Sequence, residues 1–402
     1  MPPKYEELTT DYVSDENYDW KDFDLGVDLI AALEANDIMK PSAIQAMVLP
    51  HALANRNILA RSKNGTGKTL AFLVPIINQI DPKSKNLQAI ILSPTRELAL
   101  QITTEAKKLC KHIPGVNVVA TIGGFRSPAY DSSIIKSHGV QLLVATPGRI
   151  FDLISRGLVT VNKVKMVALD EADRLVADKN IFIEQFDKIL RNIHKEHQIM
   201  LFSATYPQQT KVFADRFMPN VIQINNMSSL CLDGIKQYYA PVSAADNKLN
   251  GLYYLLSHLH IDQCIVFCNS IRRVEVLAKL LTEKGLSCGF THSLQTQEDR
   301  NRIFHSFREN QNPRNLISSD LFARGIDVPS VNVVINFDLP NTSTTYLHRI
   351  GRSGRFARKA ITISLVQPSE LETICKFEQE LDIEIEKIPM PINDDSEIHN
   401  YC

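Results

Sequence analysis

Residues 58–69 read ILARSKNGTGKT, and this stretch determines how the first half of the chain is expected to fold. Its first three residues are typical of the end of a buried strand. Gly65 and Gly67 allow a tight turn, because glycine adopts positive φ without a steric penalty. A helix is predicted to follow over Thr69–Ile80. A strand, a glycine-rich turn and a helix in this order predict a loop that binds phosphate.

Each part of this predicted loop has a chemical role. Backbone amides and the helix N-terminus would hold the anion, Lys68 would contact the β- and γ-phosphates, and the Thr69 hydroxyl would bind magnesium. The strict pattern has glycine where this chain has Ser62, so a chance glycine-rich turn is the alternative for the motif taken alone. The nucleotide-binding residues predicted here are Ser62, Lys63, Asn64, Gly65, Thr66, Gly67, Lys68 and Thr69.

Strand-like runs alternate with helical patterns along the chain, which predicts an α/β fold with mostly parallel sheets and helices on both faces. Residues 227–234 break the alternation and predict a linker between two similar domains, 17–226 and 235–392. The acidic segments 1–16 and 393–402 are predicted to be a disordered tail and a frayed tail. The predicted strands are Asn57–Ala60, Ala89–Leu92, Val118–Ile122, Leu142–Ala145, Met166–Leu169, Met200–Ser203, Cys264–Cys268, Ser287–Thr291, Asn315–Ser318, Val331–Asn336 and Ile361–Val366.

Composition sets limits on the kind of protein. A length of 402 residues suits two or three domains of about 150 residues each. No apolar run approaches the roughly 18 residues of a membrane span, and the first residues lack the apolar core of a signal peptide. The net charge is −1, but the acidic ends leave +8 on residues 25–392. A basic body is compatible with a nucleic-acid groove, and a solvated mixed-charge surface is the alternative.

The seven cysteines form no C-x-x-C pair, which favours reduced core residues over a disulfide framework. Cys264 and Cys268 flank an apolar strand and are expected in the core. His194 and His197 are expected at the surface, because no cysteine or histidine pair completes a zinc site.

A second chemical signal is the acidic run Asp170-Glu171-Ala172-Asp173, which follows a predicted strand directly. Ligands bind beyond the carboxyl ends of parallel strands. Asp170 could hold magnesium through water, and Glu171 could orient or deprotonate an attacking water. An acidic surface turn is the alternative, and the phosphate loop upstream makes it the weaker one.

Together, LDEAD and SKNGTGKT resemble the motifs of the DEAD-box RNA helicases, and further matches in the family's order cover about residues 20–390. The stretch from Pro41 to Gln45 is similar to the family's Q motif, and the decisive match in the second half is His348–Arg355, HRIGRSGR. Further matches are Pro94–Ala99, Gly123-Gly124, Thr146–Arg149, Ser203–Thr205, Ile265–Ser270 and Ala323–Val328.

This resemblance implies two RecA-like domains with ATP and magnesium bound between them. It implies that Gln45 pairs with adenine and that Trp20 stacks on it, with a core tryptophan as the alternative. It implies that Arg352 and Arg355 are arginine fingers and that Asp327 contacts ATP from the same side. The family usually has glycine at Asp37, Ala357 and Ala360, so local turns are expected to differ there. The residues implied to couple the domains are Asp173, Ser203, Ala204, Thr205, His348 and Arg349.

The resemblance also implies a sequence-tolerant RNA site, because phosphate and sugar contacts do not read bases. Contact with the 2′-hydroxyl would select RNA over DNA. On the first domain the implied residues are Pro94, Thr95, Arg96, Gly123, Gly124, Thr146, Pro147, Gly148 and Arg149. On the second domain they are Gln297, Arg300, Asp320, Arg324 and Gly325.

Within the family, three stretches resemble the decapping-activating, translation-repressing helicases of cytoplasmic mRNP granules (P-bodies): 234–240, 267–275 and 379–389. This implies a monomer with decapping-factor peptides and a deadenylation-complex scaffold as partners of the second domain. The translation-initiation helicases are the alternative within the family. An ATP-gated RNA clamp with incidental turnover is the alternative from another class, and a DNA translocase is a more distant one.

Overall fold

The computed structural model describes residues 6–9, 18–62, 66–124, 126–176, 179–206, 208–226, 235–243, 245–309, 312–320, 328, 330–351, 360–389, 391–392 and 398. The chain divides into two compact units, Met1–Ser228 and Ser229–Cys402. Their boundary falls inside the predicted linker 227–234, which itself lies outside the described residues.

Unit 1 is built on an eight-stranded sheet in the order β1-β8-β2-β7-β6-β3-β5-β4, and every strand pair in it is parallel. Its strands are β1 (Glu6–Thr9), β2 (Ile58–Ser62), β3 (Ala89–Leu92), β4 (Val118–Thr121), β5 (Leu142–Ala145), β6 (Met166–Leu169), β7 (Gln198–Ser203) and β8 (Ile222–Asn226). Its helices are α1 (Val27–Glu34), α2 (Ala43–Leu53), α3 (Lys68–Gln79), α4 (Arg96–Cys110), α5 (Pro128–His138), α6 (Pro147–Ser155), α7 (Ala172–Leu175), α8 (Lys179–Asn192) and α9 (Gln208–Phe217).

The two faces of this sheet are covered by different helices. Successive residues of a strand point to opposite faces. Ile58 and Ala60 of β2 therefore join a core with α1 to α4, whereas Leu59 joins a second core with α6 to α9. Burial on both faces explains why the central strands read as short continuous apolar runs.

Unit 2 repeats this plan with a seven-stranded parallel sheet in the order β11-β12-β10-β13-β14-β9-β15. Cys264 and Val266 of β10 face one core, and Ile265 and Phe267 face another. The strands are β9 (Ile235–Pro241), β10 (Gln263–Phe267), β11 (Cys288–Thr291), β12 (Asn315–Ser318), β13 (Val331–Asn336), β14 (Ala360–Val366) and β15 (Glu386–Lys387). The helices are α10 (Ala245–His258), α11 (Ile271–Glu283), α12 (Gln297–Arg308), α13 (Ser343–Ile350) and α14 (Leu371–Leu381).

The predicted α/β architecture is confirmed, and every predicted strand is present within about two residues of its expected ends. Cys264 and Cys268 are reduced thiols buried in the core of unit 2, as expected. Four strands were not predicted: β1, β8, β9 and β15. Among the described residues, no helix has the length and apolar character needed to cross a bilayer.

Two local predictions need correction. Residues 1–16 were expected to lack structure, but Glu6–Thr9 form an edge strand that pairs with β8, because the edge backbone of β8 offers hydrogen bonds to an extended segment. The apolar pattern of Val27, Leu29, Ile30 and Leu33 predicts a helix that begins at Trp20, but Trp20–Asp22 form a 3-10 turn and α1 begins at Val27.

The structure describes two of the three positions at which this chain lacks the glycine that is usual in the family. Asp37 adopts φ 59°, so an aspartate takes the left-handed conformation that glycine adopts most easily. Ala360 is the buried first residue of β14 and not part of a tight turn. Ala357 lies outside the described residues.

Candidate nucleotide and RNA sites

The phosphate loop connects β2 to α3, as the sequence predicts, although residues 63–65 lie outside the described part of the chain. Lys68 is the first residue of α3, and its Nζ donates to the carbonyl oxygen of Ser62 at 2.7 Å. The hydroxyls of Ser62 and Thr66 lie 2.6 Å apart. Thr69 follows in the first turn of α3. A cation, two hydroxyls and a helix N-terminus therefore converge where the sequence predicts phosphate.

Gln45 contacts this loop directly. It lies in the first turn of α2, behind the N-cap Ser42, where its Oε1 accepts from the Ser42 amide at 2.8 Å. Its Nε2 donates to the carbonyl oxygen of Gly67 at 3.0 Å. A side chain at position 67 would place its Cβ 2.3 Å from that Nε2, and Gly67 has φ +94°. Glycine is thus required at position 67 both by its backbone conformation and by the space that Gln45 fills.

The contact of Gln45 with adenine remains a prediction. A primary amide has two donor hydrogens and an oxygen with two lone pairs. One amide hydrogen and one oxygen lone pair of Gln45 are used in hydrogen bonds within unit 1. The second hydrogen and the second lone pair are compatible with the expected bidentate pair with adenine.

The stacking of Trp20 on adenine stays a prediction. Trp20 is 1% exposed and belongs to the core beneath α1 and α2. Its Nε1 donates to the carbonyl oxygen of Ile38 at 2.8 Å. These contacts are the ones that the alternative of a core tryptophan expects.

The acidic turn lies at the carboxyl end of β6. Asp170 is buried, and its Oδ1 accepts from the Glu171 amide at 2.9 Å. Burial and then the neighbouring Glu171 raise the pKa of Asp170 to about 7, with Asp173 adding to the shift and Lys68 opposing it. This carboxylate therefore lies close enough to Lys68 to interact with it, across the gap between β6 and the phosphate loop.

Glu171 has two unusual features. Its backbone adopts φ 48°, a left-handed conformation that costs a residue with a side chain about 1–2 kcal/mol. Its Oε2 is buried and has no hydrogen-bond partner among the described residues. Strain and an unsatisfied buried acceptor are typical of functional positions.

Asp173 connects this turn to the segment after β7. Its Oδ2 accepts from the Thr205 hydroxyl at 2.7 Å, and its Oδ1 accepts from the Arg174 amide. The Thr205 amide in turn lies 3.3 Å from the Ser203 hydroxyl, with Ala204 between them. The predicted coupling residues of unit 1 therefore form one connected group.

The predicted RNA residues of unit 1 follow three neighbouring parallel strands. Pro94, Thr95 and Arg96 follow β3, Gly123 and Gly124 follow β4, and the segment 146–149 follows β5. These strands adjoin in the order β3-β5-β4, so their carboxyl ends bring the residues to one edge of the sheet.

Local contacts shape this edge. The Thr95 hydroxyl accepts from the Leu98 amide and caps α4. Gly124 has φ +77°, and a Cβ there would lie 2.7 Å from the Arg96 guanidinium. Thr146 caps α6, and Pro147 and Gly148 form its first turn.

Arg149 has a different role from the one predicted. It was expected to hold an RNA phosphate, but it is buried and its Nε lies 3.2 Å from Asp131 Oδ2 of α5. Its guanidinium also donates to the carbonyl oxygens of Ile122 and Arg126. These contacts fix both ends of the segment that carries Gly123 and Gly124. Sequence reasoning missed Asp131, because a lone aspartate in an amphipathic helix gives no signal.

Arg349 was expected to link unit 2 to the acidic turn of unit 1, and that link stays a prediction. Arg349 is fully buried within unit 2, where its Nε donates to Asp320 at 2.6 Å. It also donates to Asn336, to the Asp338 carbonyl oxygen and to Asn269. Asp320, predicted to bind RNA, is thus a partner of Arg349. These residues lie in motifs of the sequence, but nothing in the sequence indicates that they pack against one another.

Only some of the other residues predicted to act in unit 2 lie in the described part of the chain. His348 and Arg300 are both buried, the latter on α12. Gln297 begins α12, and the position of its side chain is not described. The predicted residues Arg324, Gly325, Asp327, Arg352 and Arg355 lie outside the described residues.

A parallel sheet with a phosphate loop after one strand and a paired acidic turn after another defines a nucleotide-hydrolysing unit. The comparisons with known proteins identify which one. Residues 42–213 match the DEAD/DEAH box helicase family, and residues 247–357 match the helicase conserved C-terminal domain.

Individual relatives agree. The chain is 45% identical over 98% of its length to "ATP-dependent RNA helicase dhh1" of Aspergillus clavatus and covers 76% of that protein. Its fold matches S. cerevisiae Dbp5 bound to RNA and ADP BeF3, with a TM-score of 0.86, 30% identity, and coverage of 96% of this chain and 98% of that one. It also matches Mss116 bound to ssRNA and UDP-BeF, with a TM-score of 0.84 and coverage of 96% and 83%. At 23% identity this last likeness concerns the fold alone.

The chain therefore belongs to the DEAD-box family of ATP-dependent RNA helicases, and the predicted pair of RecA-like domains is confirmed. ATP is its nucleotide and RNA its nucleic acid.

Proposed function

We propose that this helicase hydrolyses ATP between Lys68 and the Asp170–Glu171 turn, and that it acts in mRNA decapping and translational repression. The observation that carries the catalytic assignment is the Oε2 of Glu171, which is buried and has no hydrogen-bond partner among the residues that the structure describes. It lies beside Asp170, a carboxylate that Lys68 already influences. The cellular role is supported by the resemblance of three stretches to the decapping-activating subfamily and by the 45% identity to the dhh1 helicase.

The phosphate site is proposed to work by exchange of partners. Lys68 Nζ now donates to the Ser62 carbonyl oxygen, a neutral acceptor. Bonds between an ammonium and phosphate oxygens are about twice as strong as bonds to neutral acceptors. ATP would therefore draw Lys68 from Ser62 to its β- and γ-phosphates.

The residues present fit magnesium. Burial and the neighbouring Glu171 and Asp173 raise the pKa of Asp170, and a bound cation would oppose this shift. Thr69 would hold magnesium directly and Asp170 would hold it through water. Bound there, magnesium would neutralise charge on the phosphates.

Glu171 is proposed to orient and deprotonate the attacking water. Its Oε2 is a buried acceptor with no partner among the described residues, so accepting a proton from water would satisfy it. Thr205 and Asp173 would transmit the state of this turn to the segment after β7, because they share a hydrogen bond of 2.7 Å.

RNA is proposed to contact the edge formed after β3, β4 and β5. Gly123, Gly124 and Gly148 offer backbone amides there, and Arg149 with Asp131 holds the loop that carries the first two. Such contacts would make binding salt-sensitive and sequence-tolerant.

The role of unit 2 in catalysis is proposed from its motifs. Arg352, Arg355 and Asp327 would complete the ATP site, and a finger of this kind is worth about 10³–10⁵ in turnover. We expect low ATPase activity of the chain alone and a large increase with a deadenylation-complex scaffold domain. We also expect decapping-factor peptides to bind unit 2, and the protein to be a monomer located in cytoplasmic mRNP granules.

One set of assays tests the cellular assignment. ATP hydrolysis by the full chain is measured with RNA, with and without the scaffold domain, in wild type and in Arg352→Ala. The proposal expects strong stimulation that Arg352→Ala removes. Stimulation that persists in Arg352→Ala would mean that the scaffold does not deliver a finger. High activity without the scaffold, together with no binding of decapping-factor peptides, would favour an initiation-type helicase.

A further inference from the structure

The sheet of unit 1 ends at β4, which has β5 as its strand neighbour. Beside β4 lies a cavity of about 680 Å³ between helices α4 and α5. The strand forms its floor, and the two helices form its walls. It lies outside the nucleotide site and outside every residue predicted to contact RNA.

The backbone of β4 faces this groove. In a parallel pair, alternate residues direct both their amide and their carbonyl toward the neighbouring strand. The carbonyl oxygens of Asn117 and Thr121 accept from amides at the ends of β5, so the odd-numbered residues face β5. The amide and carbonyl groups of Val118 and Ala120 therefore point away from β5, along the open edge.

The groove has an apolar floor and a basic rim. Val118, Leu100 and Ile134 contribute apolar surface between the two helices. Lys107 and Lys111 lie on the α4 side and are exposed. Arg126 and His138 lie at the two ends of α5, and none of the described lining residues is acidic. This combination favours an anionic ligand that also carries apolar side chains.

We propose that this groove binds an extended acidic peptide of a partner protein, which adds to β4 as a further strand. Backbone groups of Val118 and Ala120 would bond the peptide main chain. Its alternate apolar side chains would enter the groove, and its acidic side chains would meet Lys107, Lys111 and Arg126.

A peptide fits these observations better than RNA does. Proteins that bind single-stranded nucleic acid stack bases on aromatic side chains along a basic path. Among the described residues of this lining, Tyr130 is the one phenylalanine, tyrosine or tryptophan, and the Arg126 guanidinium already lies 5.1 Å from its ring. An open strand edge with an aliphatic floor supplies what a peptide needs and gives little to a base.

The test uses the full chain and fluorescence anisotropy of labelled probes. The probe is a synthetic peptide of alternating valine and glutamate, compared with a peptide of alternating valine and lysine and with a uridine oligonucleotide. We expect the acidic peptide to bind and the basic one not to. The double variant Lys107→Glu/Lys111→Glu should weaken binding at least about tenfold, since each reversal places like charges together.

A second variant separates strand addition from simple charge attraction. Ala120→Pro removes one outward amide and leaves the groups that face β5, and proline is tolerated at sheet edges. It should also weaken the acidic peptide, whereas Lys136→Glu, an exposed charge reversal on α5 outside the groove, should change nothing. Thermal unfolding verifies that each variant is folded.

Three results would overturn the proposal. Failure of the acidic peptide to bind would mean that the basic rim merely protects a strand edge from association. Full binding in both groove variants would place the peptide elsewhere. Displacement by the oligonucleotide, with a loss in the lysine variant and none in Ala120→Pro, would make the groove a nucleic-acid site.

Discussion

Lys68 of unit 1 and Arg349 of unit 2 are both motif cations near the carboxyl ends of parallel strands, yet the fold uses them differently. Lys68 is partly exposed and donates to a neutral carbonyl oxygen, an arrangement that a phosphate can displace. Arg349 is fully buried and donates to four groups of its own unit. The contact of Lys68 can thus be exchanged for another acceptor, whereas the contacts of Arg349 organise its own unit.

The carboxylates show the same difference. Glu171 is held in a strained backbone conformation, and its Oε2 has no hydrogen-bond partner in the described part of the chain. Asp320 and Asp338, in contrast, pair with Arg349 and Arg273. Substitutions should therefore affect turnover in unit 1 and stability in unit 2.

The largest effect is expected from Glu171→Gln. The amide cannot accept a proton from water, so RNA-stimulated ATP hydrolysis should fall by about 10²–10⁴, the usual contribution of a general base. ATP affinity and thermal stability should change little, because the phosphate loop is intact. Glu184→Gln, an exposed substitution on α8, is the matched control. Normal turnover in Glu171→Gln would remove this residue from the mechanism.

Arg349→Met should act on stability. Methionine fills a similar volume but leaves Asn336 and the Asp338 carbonyl without their donor, which should cost about 3–5 kcal/mol in the free energy of unfolding of unit 2. Urea denaturation followed by circular dichroism measures it. Arg272→Met on the exposed face of α11 should cost less than about 0.5 kcal/mol. Equal stability of the two variants would contradict the structural role of Arg349.

Thr205→Val tests the connection inside unit 1. Valine has nearly the shape of threonine but cannot donate to Asp173, so the turn and the segment after β7 lose their link. Duplex separation should fall by about tenfold, the equivalent of one hydrogen bond of about 1.4 kcal/mol, with a smaller change in ATP hydrolysis. Thr104→Val, at an exposed position on α4, serves as the control. A parallel loss of both activities would mean that Thr205 supports the chemistry itself.

The smallest effect is expected from relief of backbone strain at a residue outside the nucleotide and RNA sites. Asp37 holds φ 59° without a catalytic role, unlike Glu171. Asp37→Gly should stabilise unit 1 by about 0.5–1 kcal/mol, since relief of strain exceeds the entropy lost by glycine. A rise in melting temperature with unchanged ATPase activity is expected. A fall would show that the Asp37 side chain contributes more than its conformation costs.

The elements that the sequence predicts correctly are those that depend on short-range patterns of residues. The central strands are buried on both faces, so they stand out as apolar runs, and the phosphate loop and acidic turn follow two of them. Strands β1, β8, β9 and β15 lie at or near sheet edges and mix polar with apolar residues, as in Ile235–Pro241, so pattern alone did not reveal them.

The contacts that sequence reasoning missed at the site have a common cause. A motif predicts which residues matter but not which partner each one contacts. Trp20 and Arg149 were assigned to ligands and Arg349 to the coupling of the domains, and all three are buried among partners distant in sequence. Asp131 and Asn336, which satisfy two of them, carry no signal of their own.

The place of the chemistry at the phosphate loop is tested most directly by RNA-stimulated ATP hydrolysis of the purified full chain, compared with that of Lys68→Ala. Wild type should hydrolyse ATP slowly and RNA should accelerate it, whereas Lys68→Ala should not hydrolyse ATP with or without RNA, because the phosphates lose their cation. Hydrolysis in Lys68→Ala at the wild-type rate would contradict the claim that the chemistry takes place at this loop.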